Sequence, residues 1–269
     1  MLQVIFEDEH LLVVWKPVGI ESQSSRGFGA DMVSEVRKHI FKTSKKQGEP
    51  YVGVIHRLDK PVSGVMVYAK DKKTAGALSL QVTERKMQKK YLAVLCGRPE
   101  SIEEMFVDYL KKDEAGNVSG IVEKGTEGAK RAELICRVVG FRTDPQWGEL
   151  TLAEIELKTG RHHQIRVQMA GRGLPLWGDG KYNPMFGGSA MQMQGSTQES
   201  MQGSACALAQ NGKNEEIKNE KINRKRGAQP QIALSSFSLS FIHPALGRRV
   251  SFERLPSAEI FRNFEKPES

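Results

Sequence analysis

Residues 51–69 read YVGVIHRLDKPVSGVMVYA, and this stretch decides how the rest of the chain is interpreted. Two apolar runs flank the polar turn HRLDKP at 56–61. Short runs rich in valine and tyrosine, bounded by proline and glycine, predict two β-strands joined by a turn. The predicted strands are Tyr51–Ile55 and Gly64–Ala69. The turn therefore places Asp59, between two basic residues, at the edge of a sheet, where its carboxylate is accessible.

Strands and helices alternate on both sides of this stretch. Asp31 can cap a helix that carries Val33, Val36, Ile40 and Phe41 on one face, and a second helix is predicted at Asp71–Glu84. A short helix around His162–Met169 and a terminal helix at Ala258–Phe264 complete the set. Further strands are predicted at Val4–Phe6, Leu11–Trp15, Lys90–Cys96, Arg131–Val139, Leu150–Leu157, from Ile232 through Phe237, Leu239 and Phe241, and at Val250–Phe252. This alternation predicts an α+β fold with a mixed, mostly antiparallel sheet flanked by helices.

The composition changes abruptly after Tyr182. Residues 184–228 are rich in glutamine, methionine, serine, glycine and asparagine, and they end in a charged run. They show no periodicity that would bury a face, so we predict a disordered insertion, and a spacer is favoured over an RNA contact. The prediction for the whole chain is one catalytic domain, residues 1–269, interrupted by that insertion.

The composition is that of a globular protein with a basic surface. Forty lysine and arginine residues against thirty-two acidic ones give a net charge of +8, which attracts polyanions such as RNA. No apolar run approaches the roughly 20 residues of a membrane span, and the N-terminus has no secretory signal, so we expect a cytoplasmic protein. Three widely spaced cysteines predict neither a disulfide framework nor a metal site.

Four segments carry polar groups suited to chemistry, and each also has a structural interpretation. Asp59 could be a reactive carboxylate or could bond its own turn. Residues 158–166, KTGRHHQIR, place basic groups at a helix start, where they could hold an anion or simply be solvated. Tyr91 could stack on a base or pack in a strand. Residues 178–182, GDGKY, form a turn with a mainly structural or RNA-contacting role.

Taken together and in order, these segments resemble the RluA family of pseudouridine synthases. The matching segments are Lys16–Gly19, His56–Asp59 with Ser63–Gly64, Lys89–Leu95, Thr159–Arg166, Gly178–Tyr182 and His243–Pro244. The resemblance covers residues 1–183 and 230–256. Many relatives carry a small RNA-binding domain before the catalytic one, but here the pattern starts at residue 1, so we expect recognition by the catalytic domain itself.

The resemblance implies an enzyme that converts uridine in structured RNA, ribosomal or transfer, to pseudouridine. Asp59 would be the essential carboxylate, acting either as a nucleophile or as a base. Tyr91 would stack on the flipped uracil and assist proton removal, and Arg166 would pair with Asp59. No cofactor and no metal are expected, because the reaction is an isomerisation. We expect a monomer.

The resemblance also implies a set of RNA-binding or substrate-binding residues. Arg57 would enter the RNA stack where the target base leaves it. Arg161 and Ile165 would hold phosphate and shape the site, and His56 and Gln164 are assigned to the same substrate-binding group.

Two other functions fit parts of the same pattern. A non-catalytic RNA-binding protein on this scaffold would keep the basic charge but would tolerate loss of Asp59. A glycosidic hydrolase would use Asp59 with a second acid such as Asp179, and it requires two carboxylates within roughly 10 Å across one cleft.

Overall fold

The computed structural model describes residues 2–24, 31–44, 48–187 and 230–267. These residues form one sheet of eleven strands, with three α-helices packed around it. The strands are β1 Gln3–Glu7, β2 Leu11–Lys16, β3 Gly53–Val54, β4 Ser63–Ala69, β5 Gln88–Cys96, β6 Glu103–Asp113, β7 Val118–Val122, β8 Lys130–Asp144, β9 Gly148–Leu157, β10 Leu234–Ile242 and β11 Arg249–Glu253. The helices are α1 Met32–Thr43, α2 Lys72–Thr83 and α3 Gln164–Ala170.

The sheet runs in the order β1-β2-β4-β10-β5-β9-β8-β6-β7, with β11 paired to β10 and β3 to β4. Every neighbouring pair is antiparallel except β4 and β10, which are parallel. The predicted mixed, mostly antiparallel α+β fold is therefore confirmed. The segment from 230 onward inserts β10 into the middle of the sheet, between strands that precede the predicted insertion.

Helices α1 and α2 cover opposite faces of the β2–β4 part of the sheet. Val36 of α1 packs in one core cluster with Leu12 and Met66, while Leu78 of α2 packs in another with Val13. Both helices start at an aspartate whose side chain accepts a backbone N–H of the first turn, as expected for an N-cap. Strands β2 and β4 are consequently buried on both faces.

Two details of the helix predictions were wrong. Phe41 is 63% exposed, because it follows Ile40 by one residue and so lies about 100° around the helix from the buried stripe. The terminal helix is reduced to one 3₁₀ turn at Glu259–Phe261. Asn263 then takes a left-handed backbone conformation, and Glu265 pairs with Phe141 of β8 as an extended residue, so the chain cannot continue as a helix.

The β6–β7 hairpin was not predicted. β6 carries charged residues at both ends, Glu103–Glu104 and Lys111–Asp113, and it buries only Phe106 and Leu110. Its alternation is therefore weak in the sequence. The strand predicted at 51–55, by contrast, was too long, because β3 has only two residues.

β4 and β10 approach each other unusually closely. Gly64 has a φ of +149°, and a Cβ at this position would lie 2.5 Å from the Ser236 carbonyl oxygen and Cβ. Only glycine fits, and β10 presents small buried serines, Ser235 and Ser236, to this neighbour. The contact fixes where the chain leaves the turn at 56–61 and enters β4.

The predicted insertion at 184–228 begins with an ordered turn. Pro184–Phe186 is a 3₁₀ helix capped by the Asn183 side chain, so the start of that prediction was wrong. Residues 188–228 lie outside the described residues, and the prediction of disorder there stays a prediction. No helix in the described ranges has the length and apolarity to cross a membrane.

Candidate active site

The buried amine of Lys16 holds the turn that carries Asp59. Lys16 is fully buried at the end of β2, and its Nζ donates to the carbonyl oxygens of Pro17, Lys60 and Val62 at 3.0, 3.2 and 2.7 Å. Burial lowers the pKa of Lys16 to about 8, while the Asp59 charge acts in the opposite direction. An ammonium group thus fixes the backbone that directly follows Asp59.

Residues that follow Lys16 hold the same turn at two further points. The Ser22 hydroxyl donates to the Leu58 carbonyl at 2.7 Å and accepts the Leu58 N–H at 2.9 Å. The Gly19 N–H donates to the Lys60 carbonyl at 2.9 Å. The segment Lys16–Ser22 therefore supports the Asp59 turn rather than contributing a reactive group.

Arg166 lies in α3 between two carboxylates. Its Nε and Nη2 donate to Asp179 Oδ2 and Oδ1 at 2.8 and 2.7 Å, a bidentate pair in which both side chains are buried. Its Nη1 lies 3.5 Å from Asp59 Oδ2. Burial opposes the charge of Arg166, but Asp179 and then Asp59 raise the pKa of Arg166 above its ordinary value. The predicted contact between Arg166 and Asp59 is present, although Asp179 is the stronger partner.

The Asp59 carboxylate is accessible and lightly held. Its side chain is 33% exposed, and its shortest ion-pair contacts join Oδ2 to Arg166 Nη1 and to His163 Nε2, both at 3.5 Å. Neither carboxylate oxygen accepts a hydrogen bond from a residue in the described ranges, since both contacts are longer than a formed hydrogen bond. The carboxylate thus faces a guanidinium and an imidazole and keeps its hydrogen-bonding capacity for a bound molecule.

Tyr91 lies in β5, opposite Ser236 of β10 and Ile155 of β9. Its side chain is buried, and burial together with the nearby Asp59 charge raises the pKa of Tyr91 above its ordinary value. The Asp59 charge therefore acts on the phenol, although no hydrogen bond joins the two side chains. Tyr91 is a neutral phenol there.

The predicted substrate-binding residues separate into two groups. Arg57 is exposed beside Asp59, and Arg161 is half-buried with its Nε donating to the Arg131 carbonyl at 2.9 Å. Ile165 is buried in the core cluster that contains Tyr91. Arg57 is therefore the neighbour of Asp59 in its turn, Ile165 packs in α3 against the cluster of Tyr91, and Arg161 lies just before α3.

The other two predicted substrate-binding residues are bonded inside the protein. Gln164 is buried, and its amide group bonds the Thr159 hydroxyl, the Arg161 N–H and the Glu133 carbonyl. His56 is buried, its Nε2 accepts the Val67 N–H at 3.2 Å, and burial lowers its pKa to about 3. Their contacts shape the two turns and do not support direct contact with RNA.

No role was predicted for Lys16, and none was assigned to His163 within the segment 158–166. A lysine at the end of an apolar strand ordinarily extends into water, and only the position of Lys16 opposite Gly64 in the β2–β4 pair carries it under the Asp59 turn. The adjacent Pro17 and Gly19 were the available signal that the segment makes a defined turn.

The arrangement offers one reactive carboxylate rather than two. Asp179 has a side chain with 0% exposure, is paired with Arg166, and also accepts the backbone N–H groups of Lys181 and Tyr182 at 2.9 and 3.2 Å. A carboxylate in that environment cannot donate a proton to, or attack, a molecule in the cleft. The pair of acids that a glycosidic hydrolase needs is therefore not formed by Asp59 and Asp179.

Comparison with protein families and curated proteins gives a consistent result. The family model described as RNA pseudouridylate synthase matches residues 10–171. Ribosomal large subunit pseudouridine synthase D of Zymomonas mobilis is 30% identical over 254 residues, covering 94% of this chain and 68% of that protein. The synthase D of Xanthomonas campestris is 30% identical and covers 93% of this chain, which spans only 64% of its length.

Solved structures show the same fold. Human RNA pseudouridylate synthase domain containing 4 superposes with a TM-score of 0.67 at 20% identity, covering 96% of this chain and 90% of that one. Human RNA pseudouridylate synthase domain containing 1 gives 0.65 at 17% identity, covering 95% and 84%. Both matches extend across β10 and β11, so the fold similarity includes the strands after residue 230.

Proposed function

We propose that this chain, which belongs to the RNA pseudouridylate synthase family, isomerises uridine in RNA to pseudouridine with Asp59 as its catalytic carboxylate. The observation that carries the proposal is the accessible Asp59, whose Oδ2 lies 3.5 Å from Arg166 and whose charge acts on the buried phenol of Tyr91.

The reaction breaks the bond from the sugar to ring nitrogen 1, turns the base, and joins carbon 5 to the sugar. Carbon 5 loses its hydrogen as a proton and nitrogen 1 takes up a proton, so that the product is an isomer of uridine. Asp59 Oδ1 serves as the nucleophile at the sugar or as the base that starts elimination, and both roles need an ionised carboxylate. The guanidinium of Arg166 at 3.5 Å favours that ionised form.

The target base has to leave the RNA stack before Asp59 can reach its sugar. Flipping costs a few kcal/mol, and stacking on Tyr91 offsets part of it at about 1–3 kcal/mol per base. Arg57 is exposed next to Asp59 and fills the vacated position in the stack. The net charge of +8 supports binding to the phosphate backbone, with affinity that falls as salt rises.

We propose that the substrate is large-subunit ribosomal RNA. We also propose that the protein acts in the cytoplasm as a monomer. The support is the identity of the relatives from Xanthomonas campestris and Zymomonas mobilis, each of which is a ribosomal large subunit pseudouridine synthase. A transfer RNA substrate is the outcome that would correct this choice.

The test is pseudouridine mapping in ribosomal and transfer RNA from cells with and without the gene. Deletion should remove at least one pseudouridine from large-subunit RNA. Wild-type protein should restore it, as should Asp113→Asn, which alters an exposed carboxylate at the end of β6. Asp59→Asn at equal expression should not restore it.

Two results would overturn the proposal. An unchanged pseudouridine map after deletion would remove the activity from this chain. Full restoration by Asp59→Asn would remove Asp59 from the chemistry and would favour a non-catalytic RNA-binding role.

A further inference from the structure

His163 connects the reactive carboxylate to a strand at the far edge of the sheet. It precedes α3 and has a φ of +53°, a left-handed conformation that non-glycine residues adopt only at a cost of about 1–3 kcal/mol. Its ring is buried, and its Nε2 lies 3.5 Å from Asp59 Oδ2. The strained backbone is what directs this ring toward Asp59 instead of along the helix.

Tyr182 fixes which ring nitrogen of His163 carries the proton. The Tyr182 oxygen accepts the Ser119 N–H at 2.8 Å, and it lies 2.7 Å from His163 Nδ1. Because the oxygen is already an acceptor, its own hydrogen is free to be donated to Nδ1. His163 then carries its proton on Nε2, which is the nitrogen that faces the Asp59 carboxylate.

Burial and nearby cations favour the neutral form of His163, while the Asp59 carboxylate 3.5 Å away acts in the opposite direction. Burial lowers the pKa of His163 to about 2, and positive charges act in the same direction from Arg166 in α3, Lys181 in the turn before Tyr182 and Lys112 in β6. His162 stacks on the ring with centroids 3.8 Å apart and also lowers the pKa of His163. His163 is thus an N–H donor and not a competing cation or a proton acceptor.

We propose that His163 is a positioning residue that holds Asp59 through a neutral Nε2–H, with its tautomer set by Tyr182. Arg166 and His163 both lie against Oδ2, so together they determine which oxygen, Oδ1, reaches the nucleotide. This inference rests on the proposed function of Asp59. The 3.5 Å separation is longer than a formed hydrogen bond, and such contacts commonly shorten when the substrate binds.

The test compares His163→Ala, His163→Gln and Tyr182→Phe by tritium release from RNA labelled at uridine carbon 5. His163→Ala removes the N–H, and the maximal rate should fall about ten- to hundredfold, the range for a hydrogen bond to a charged group. The dissociation constant for RNA should change less than about threefold. His163→Gln keeps a neutral donor and should recover most of the rate.

Tyr182→Phe keeps the ring, whose centroid is 5.0 Å from the Arg166 guanidinium carbon, and removes only the hydroxyl. Its maximal rate should fall several-fold, since the His163 proton is then free to move to Nδ1. If the two residues act as one unit, the double variant with His163→Ala should be no slower than His163→Ala alone.

The matched control is His243→Ala. The His243 ring is also buried, and its Nε2 lies 2.7 Å from Asp8 Oδ2, but this pair stands beyond the end of β10 at the β1–β2 turn. The His243→Ala substitution should lower the melting temperature. It should leave the maximal rate unchanged at a temperature where the variant is folded.

The pH profile separates positioning from general structural damage. Loss of the N–H donor should move the acid limb of the maximal rate to higher pH in His163→Ala, and His163→Gln should restore the wild-type limb. The inference is overturned if the wild type is active while His163→Ala keeps its rate, or if His163→Gln is as slow as His163→Ala with an unmoved acid limb. A wild type that releases no tritium from any RNA overturns the proposed function instead.

Discussion

Two carboxylates contact the guanidinium of Arg166, and their surroundings differ in almost every respect. Asp179 is sealed, forms two short hydrogen bonds to Arg166, and accepts two backbone N–H groups of its own turn. Asp59 is one-third exposed, lies 3.5 Å from the same guanidinium, and accepts no hydrogen bond from a residue in the described ranges. The turns that carry them come from distant parts of the chain.

The difference shows how one arginine can anchor the fold and also face an accessible carboxylate. Asp179 neutralises the buried guanidinium and fixes its direction, so the remaining Nη1 can point at Asp59 without being fully used by it. A carboxylate saturated with hydrogen bonds is a poor nucleophile or base, whereas one held at a single oxygen keeps its reactivity. The same substitution, aspartate to asparagine, should therefore have different effects at the two positions.

The largest effect is expected for Asp59→Asn. Isomerisation should fall more than about a thousandfold, because the amide is neither a nucleophile nor a base. RNA affinity and melting temperature should stay near wild type, since the side chain is exposed and its contacts to Arg166 and His163 are long. Rate measurement, an RNA gel shift and a thermal melt check the three statements. A variant that loses RNA binding in parallel with activity would contradict this assignment.

Asp179→Asn is expected to act mainly on stability. Removing one partner of a buried ion pair leaves an uncompensated charge, so the free energy of unfolding should drop by about 3–5 kcal/mol. Urea denaturation measures this change. Glu103→Gln is the control, because Glu103 is half-exposed in its pair with Arg137 and its loss should cost less than about 1 kcal/mol. Equal costs for the two variants would show that the Asp179 pair is not a structural anchor.

Acid pH should weaken the fold through histidines that are buried as neutral rings near the Asp59 turn. The pKa values of His56 and His163 fall to about 3 and about 2 in the folded chain, from an ordinary value of 6.5. Below pH 6.5 the unfolded chain therefore binds more protons, and stability decreases as the pH falls. For each of the two rings, the free energy of unfolding should be about 2 kcal/mol lower at pH 5 than at pH 7.

The measurement is urea denaturation at pH 7 and pH 5, a window above the range where carboxylates titrate. His163→Gln should lose less stability between these two pH values than the wild type, by about 2 kcal/mol. An identical pH dependence in both proteins would mean that His163 is charged in the folded state.

The smallest effect is expected for Lys16→Met, which keeps the stem and removes the ammonium. The Val62 carbonyl loses the Nζ donor and the Lys60 carbonyl keeps only the Gly19 N–H, so the Asp59 turn should loosen and the isomerisation rate should fall about tenfold. Lys70→Met is the control, because Lys70 is also largely buried but bonds Glu7 and the Asp8 carbonyl. Equal rates in the two variants would remove Lys16 from the support of the site.

Sequence patterns predicted the elements whose signals are local. The aspartate caps at 31 and 71 and the apolar runs of β2, β4 and β9 depend on near neighbours, and their positions were predicted within a few residues. The β6–β7 hairpin was missed because its exposed face is charged and its buried face is short. The serines of β10 appear polar in the sequence, yet they are buried because the strand lies between β4 and β5.

The site itself depends on contacts that no local pattern encodes. Asp59 and Arg166 were paired through family resemblance, not through spacing, since they lie in separate turns. Asp179 and Lys16 owe their roles to burial, which converts ordinary charged residues into an anchor and a support. Gln164 and His56 have residue types suited to binding, but the same packing directs them to protein groups.

Tritium release at uridine carbon 5 tests most directly whether Asp59 is catalytic and Asp179 structural. Wild type, Asp59→Asn and Asp179→Asn are compared on one ribosomal RNA at a temperature where all three are folded. We predict one tritium released per pseudouridine formed by the wild type, a reduced but measurable rate for Asp179→Asn, and none for Asp59→Asn. Release by Asp59→Asn at the wild-type rate would contradict the account.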